Sequence, residues 1–465
     1  MYDFVIIGSG TSGGVFSFYL TQSGFKCLLI EAGKSYETKD FPKNEMEYNA
    51  ELFWNGGMDM SADARFAFLR GKCLGGGSVI NQCLLDRFDE IALNDWKSIS
   101  KVDFFTTENM EEHYREIEKR LPIVKVPEEQ RNRNARIFIE GLKKQQLGWA
   151  PLSRGETDCG IEKGHDCIVC LGGCPRESKQ SGLVTFIPWA LKEGLEIKTD
   201  FSVDKIEHLS GSVNLFGTKN GEKEEIETKK CVLAAGALGT NHILLKSGFK
   251  ETLPALGNNF FCHPQIMTFA VFDDLVDSHK GAFQSVKSED TTMREKGYKL
   301  ENVFAQPIGT ALLYSGFGKK HQEWMKKYRN LACIEVAIRD DGKGKISLDK
   351  KNRLKISKKI SKEDKKRGLE GVMIVRKIFE SEGAKEIYTS PFWFGLHLMG
   401  GCAIGTNPET SVVNEKFTVH GHENIIIADS SIFPSAPGIN PALSIMALSH
   451  RASRIAIEEM KKEDQ

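Results

Sequence analysis

The sequence predicts an α/β fold, and three observations carry that prediction. Residues 4–7 are apolar without alternation, as a parallel strand buried on both faces requires. They lead directly into Gly8-Ser9-Gly10-Thr11-Ser12-Gly13, a G-x-G-x-x-G turn, followed by helical spacing over residues 15–23 that Gly24 closes. A second apolar strand over residues 27–30 then delivers Glu31, twenty-three positions after Gly8. Strand, turn, helix, strand and acid in this order form a Rossmann-like unit. Gly8 permits the tight turn, Gly10 lets backbone approach a pyrophosphate, and Gly13 lets the helix pack on the strand. The helix offers its first amides to phosphates, and Glu31 can accept both ribose hydroxyls of an adenosine.

Length and composition set the frame. A chain of 465 residues has room for about three domains, or for two larger ones that interleave. The 40% apolar content and 14 prolines exclude a disordered or fibrous chain. Lys plus Arg and Asp plus Glu both number 63, so no global field steers the chain to nucleic acid or an anionic membrane. Met1 is followed at once by a strand, with no basic region or cleavage site, and the longest apolar runs fall short of the ~20 residues of a spanning helix. A cytoplasmic protein without a membrane segment is therefore expected. Eleven cysteines, an odd number, argue against a small disulfide scaffold and leave reduced thiols or a metal centre.

Three later segments define the chemistry. Residues 70–81, Arg-Gly-Lys-Cys-Leu-Gly-Gly-Gly-Ser-Val-Ile-Asn, are too rich in glycine for an element interior and suit backbone lying against a flat ligand. Residues 231–240 form another buried strand that turns into a helix through Ala234, Ala235, Gly236 and Ala237. Near the C-terminus His397-Leu-Met-Gly-Gly-Cys402 precedes a strand over residues 425–429. Beyond it come Gly438-Ile439-Asn440-Pro441 and a helix of small and apolar residues.

Together these segments resemble the glucose-methanol-choline (GMC) flavoprotein oxidoreductases over most of the chain. The C-terminal block is similar to the cholesterol oxidase-like branch in carrying Asn440 where other branches place a second histidine. The resemblance implies a Rossmann-like FAD-binding domain interleaved with an α+β substrate domain. It assigns FAD contacts to Gly8, Gly10, Gly13, Glu31, Gly75, Gly76, Ser78, Asn81, Val203, Ala235, Gly236, Asp429 and Pro441. Asp429 has a second reading, as a helix cap. Val79 stands where some relatives carry a flavin-linking histidine, which implies a non-covalent FAD. His263, at a position the family often fills with histidine, is expected to be structural.

The implied activity is oxidation of a CH-OH group by hydride transfer to flavin N5. Such chemistry needs the hydroxyl oxygen held between a proton acceptor and a donor. His397 suits the first role, since a histidine with a pKa of about 6.5 is a usable base at neutral pH; the Asn440 amide suits the second. A small-molecule alcohol and an electron acceptor, oxygen or a redox carrier, are the expected partners. The same pair could serve an FAD-containing lyase that cleaves cyanohydrins. An NAD-dependent dehydrogenase would leave the second glycine loop and the block 397–440 unexplained. Sterol, aliphatic alcohol and sugar all remain open as substrates.

Cys159, Cys167, Cys170 and Cys174, with Pro175 after them, give C-x2-C-x3-C-P, part of an iron-sulfur run. Cys167, Cys170 and Cys174 are the candidate ligands of a possible Fe-S cluster, such as some sugar dehydrogenases of the family carry. A zinc site and free thiols compete with it. The other seven cysteines fall in predicted core or cofactor segments.

The FAD-binding domain is expected to comprise residues 1–90, 195–265 and 396–465. The substrate domain takes 91–194, with the Cys-rich loop 159–175, and 266–395. Within the latter, residues 344–348 alternate as an edge strand. Ser361 opens a helix whose stripe of Leu369, Val372, Met373, Val375, Ile378 and Phe379 faces the core, and the lysine-rich run 350–366 reads as a solvated face. Phe392, Trp393 and Phe394 are candidates for an apolar or sugar-stacking wall.

Overall fold

The structure, a computed structural model, describes residues 1–161 and 170–463. Two sheets organise them. The first runs Thr418–Val419, His422–Ile427, Glu222–Leu233, Tyr2–Ile7, Cys27–Ile30 and Glu196–Lys198 in spatial order. All neighbours but the first pair are parallel. Phe4, Val5 and Ile6 at its centre are fully buried, which is why that strand lacks alternation. The strands Phe201–His208 and Val213–Lys219 extend this sheet as an antiparallel arm.

The helix Thr11–Gln22 follows the glycine turn and packs against the long C-terminal helix Ala442–Glu463. Two glycines make the turn possible. Gly8 has φ +97°, and a Cβ there would lie 2.5 Å from Ala234 O; a Cβ on Gly13 would lie 1.9 Å from Gly8 O.

The second sheet is antiparallel in all but one pairing and centres on the 14-residue strand Asn258–Val271. That strand pairs with Leu331–Ile338 on one side, and with Trp393–Gly401 and Glu386–Thr389 on the other. One face of the sheet is covered by the helices Arg133–Lys144 and Lys362–Ser381, against Ile266, Leu300, Ile334 and Val336.

Three expectations are corrected by packing. Helices Glu90–Ser100 and Thr107–Glu118, read from the sequence as part of the substrate domain, bury Trp96, Met110, Tyr114 and Ile117 in the core around the first sheet. Conversely, Asp59–Met60 and Phe66–Phe68 belong to the second sheet. Helix Lys362–Ser381 buries Val372, Val375, Ile378 and Phe379 but leaves Leu369 and Met373 exposed. Its contact face is rotated because Gly368 and Gly371 form the closest approach: a Cβ on Gly371 would lie 2.4 Å from Val336 Cγ1.

The lysine run is also not wholly solvated. Lys358 is fully buried with its ammonium 2.6 Å from the equally buried Asp340 Oδ1. Burial outweighs that cation and holds the Asp340 pKa up at about 6. Among the described residues no helix is long and apolar enough to cross a membrane.

Lys358→Ala is expected to leave Asp340 as an uncompensated buried acid and to destabilise the fold by about 3–5 kcal/mol. Denaturant unfolding of the two proteins would show it; a loss below about 1 kcal/mol, as for a surface pair, would contradict it.

Candidate active site

The two glycine-rich loops meet at the C-terminal edge of the first sheet. A Cβ on Gly76 would lie 2.9 Å from Gly10 Cα, so the loops touch backbone to backbone. Gly75 N donates to Ser9 Oγ, and Ser78 Oγ ties the second loop by donating to Gly75 O and accepting from Gly182 N. Asn81 Oδ1 accepts from Cys83 N. Beside this junction the space is open: a Cβ on Gly10 would meet nothing nearer than Gly77 N at 4.0 Å, and one on Gly77 or Gly236 would meet nothing within that distance. No side chain caps Thr11–Gln22 and no acid sits in its first turn, so its leading amides remain available to an anion. An open cradle walled by backbone at a helix N-terminus fits the pyrophosphate and flat ring of FAD.

Glu31 closes the same region. Its carboxylate accepts from Ser9 N, Ser9 Oγ and Gly33 N, and burial pushes its pKa up against those hydrogen bonds. Strand Phe201–His208, which carries Val203, begins with a hydrogen bond from Phe201 N to Glu31 O. Ala235 caps the helix Gly236–Lys246. Asp429 does what its capping reading foresaw, accepting from Ser431 N while its other oxygen accepts from Gly236 N and Thr240 Oγ1. Pro441 accepts from Ile445 N at the head of helix Ala442–Glu463.

His397 and Asn440 lie on separate segments, strand Trp393–Gly401 and the stretch before helix Ala442–Glu463. His397 interrupts strand Trp393–Gly401 with a left-handed φ of +55°, uncommon for a residue with a side chain. Its Nδ1 lies 2.9 Å from Nδ1 of His263, whose Nε2 accepts from Gly438 N at 3.0 Å. The backbone N–H can only donate. Neutral His263 therefore carries its proton on Nδ1 and donates to His397, whose own proton sits on Nε2. Burial, joined by the charge of Lys299, holds His397 down at about 3; burial and then His397 itself push His263 well below the usual histidine range. Both rings are neutral at physiological pH.

Asn440 is oriented by an equally unambiguous partner. Its Nδ2 donates at 3.0 Å to Asp86 Oδ2. Asp86 stays ionised despite burial because Lys287, 3.0 Å away, and Lys299 hold its pKa down. The Asn440 carbonyl is thereby left on the side away from Asp86. The sequence reading gave His263 only a structural role, quoted Gly438 only as part of the block around Asn440, and did not single out Asp86, which has no motif of its own. His263 lies 134 positions from His397, so the pair was visible only once the two strands were aligned.

The cysteine expectation fares differently. Cys170 Sγ lies 3.2 Å from Nη2 of buried Arg154, and Cys174 Sγ accepts from Lys179 N at 3.4 Å. Cys167 lies outside the described residues. Among the described residues no group of three or more His, Cys, Asp or Glu could hold a metal ion, so the cluster and the zinc site find no support. Cys27, Cys73, Cys83, Cys231, Cys262, Cys333 and Cys402 are buried, as expected.

Comparison with known proteins places these features in context. Sequence models of the GMC oxidoreductases match residues 49–265 and 340–449. The long-chain-alcohol oxidase FAO4B of Arabidopsis thaliana is 26% identical over 99% of this chain and 68% of its own length. Among solved structures, a pyridoxine 4-oxidase from Mesorbium loti superposes with a TM-score of 0.76 at 16% identity, covering 98% of this chain and 99% of that one. A formate oxidase of Aspergillus oryzae RIB40, studied for modification of its FAD, gives 0.76 at 14% identity and covers 99% of each. The last two likenesses speak to fold alone.

Gly13→Val is expected to yield protein without bound flavin, because the new side chain would collide with Gly8 O. Flavin absorbance after desalting measures it, and a yellow variant with full occupancy would contradict the cradle.

Proposed function

This chain belongs to the GMC oxidoreductase family, and from that premise we propose that it oxidises the CH-OH group of a small alcohol, His397 and Asn440 holding the hydroxyl. FAD, when bound, supplies the hydride acceptor. The residues that would hold it are the two glycine loops, Glu31 and the helix amides described above. Val79 offers no nucleophile for a covalent link, so the cofactor is held without one. The electrons pass on to oxygen or to a redox carrier.

The hydrogen-bond chain Gly438, His263, His397 carries this reading. It aims a neutral imidazole whose Nδ1 is already engaged, so that Nε2 alone is left for a substrate. In the resting tautomer that nitrogen donates to the hydroxyl oxygen, while Asn440 Nδ2, which gives one of its two protons to Asp86, keeps the other for the developing alkoxide. His397 serves as the base once the tautomer shifts. That shift places the His263 proton on Nε2, against Gly438 N–H, and costs about 1–3 kcal/mol of lost hydrogen bonding. Positioning is thus built into the ground state and proton acceptance into the excursion from it.

His397→Ala should slow flavin reduction by an alcohol, followed anaerobically, by about 10²–10⁴-fold. Undiminished reduction would remove His397 from the reaction. Cyanohydrin cleavage without any bleaching of the flavin would identify a lyase instead.

The acid limb of kcat/KM offers a second check. A base works in its neutral form, and a lowered pKa keeps His397 neutral down to about 3. The profile is expected to stay flat from about pH 8 to about pH 5, whereas a histidine at its ordinary pKa would lose activity across about 6.5.

A further inference from the structure

The register of the second sheet sorts its side chains into two faces, and they differ in kind. Cross-strand partners share a face, and so do residues two apart. His263 is therefore level with Gln265 and Met267. Met267 pairs with Glu335, Glu335 with Glu301, and Glu301 with Lys287. The alternate residues, among them Ile266, Ile334 and Leu300, are those packed under the helices. The face that carries His263 toward His397 thus continues as a polar row.

That row is buried: Gln265, Glu301 and Glu335 expose 3%, 1% and 2% of their surface. Its members hold one another. Lys299 Nζ lies 2.5 Å from Glu301 Oε1, and Gln284 Nε2 donates to Glu301 Oε2 at 2.6 Å. Lys287 reaches Asp86, the residue that orients Asn440. Burial and the neighbouring Glu301 push the Glu335 pKa well above the usual carboxylate range.

One group in it has no partner. Gln265 Oε1 makes no hydrogen bond, and Gln265 Nε2 only a long one of 3.4 Å to Glu335. An unpartnered amide oxygen this deeply buried, two residues from His263, can accept a hydrogen bond from a hydroxyl.

Resting on the reading of the site given above, we propose that the substrate is a neutral polyhydroxylated alcohol, a polyol or sugar, whose further hydroxyls bind Gln265 and Glu335 while one is oxidised at His397. An ionic substrate would bring a further charge into a buried row whose ammoniums are already paired, Lys287 with Asp86 and Lys299 with Glu301. An alkyl chain would offer the unpartnered Gln265 Oε1 no hydrogen bond. The apolar continuation of the same face, at Phe269, Val271 and Cys333, is already covered by Phe304, Leu313 and Trp324 of the chain itself.

The test is anaerobic flavin bleaching of the holoenzyme by sorbitol, glucose and fructose against 1-dodecanol and cholesterol. Reduction by at least one of the first three, at lower concentration than by either of the last two, is expected. Equal reduction by both groups, or reduction by 1-dodecanol or cholesterol alone, would overturn the substrate class and leave alcohol oxidation standing. No bleaching by any alcohol, methanol and ethanol included, would instead overturn the oxidoreductase reading and this proposal with it.

Gln265→Leu, and the isosteric Glu335→Gln should the former fail to fold, are expected to raise KM for the reactive polyol about tenfold or more while flavin content is kept. An unchanged KM in a folded, flavin-replete variant would remove the row from substrate binding.

Discussion

The pairing of strand Asn258–Val271 with strand Trp393–Gly401 is the constraint from which the site follows. Its first part, Asn258 to Phe261 against Met399 to Gly401, lies beside the first sheet, where a Cβ on Gly401 would strike the side chain of Asn241 on helix Gly236–Lys246. Its second part, His263 to Gln265 against Phe394 to Leu396, belongs to the polar face. The register shifts between Phe261 and His263, and His397 takes its left-handed conformation at that shift. A strained residue of this kind costs about 1–3 kcal/mol and persists only where its surroundings over-determine it. Here they do: Nδ1 is held by His263, and His263 by Gly438. The irregular step therefore turns the His397 imidazole onto His263, where a regular strand would have aimed it elsewhere.

How much was legible in the sequence depended on range. Gly13 could be read because it answers a backbone contact a few residues away at Gly8, whereas Gly8 against Ala234 and Gly76 against Gly10 join segments far apart in the chain. Asn440 and His397 could be read because they stand in one contiguous block. Asp86 could not, since its role exists only through Asn440, 354 positions on. Lys358 could not either: it lies in a run of lysines whose neighbours are solvated, and only the return of the chain at Asp340 buries it. Leu369 and Met373 misled for a related reason. Helical periodicity finds an apolar stripe, but Gly368 and Gly371, which have no hydropathy to register, decided which side of the helix met the sheet.

The loop after residue 158 shows the limit of spacing as a guide to chemistry. Thiols at ligand-like intervals also supply soft acceptors for buried cations. Arg154 exposes 3% of its surface and Lys179 2%, and each needs partners once removed from water. Arg154 finds Glu156, Gln82 O and Cys170; Lys179 finds the carbonyl oxygens of Val79, Asn81 and Cys170. Lys179 thus clamps the second glycine loop through Val79 and Asn81 and ties it to Cys170.

Orientation, finally, separates this site from a mere coincidence of the right residue types. A histidine and an asparagine near a flavin can each be drawn in two ways, and most such drawings are interchangeable. Here neither is free. The Gly438 amide has a proton and no lone pair to offer, and ionised Asp86 has lone pairs and no proton, so the His263–His397 tautomer and the Asn440 flip are both set by partners with a single possible role. The two fixings are independent, one running through a loop amide and the other through an ion pair with Lys287. One fixes which nitrogen of His397 is left for a further partner, and the other fixes which end of the Asn440 amide faces Asp86.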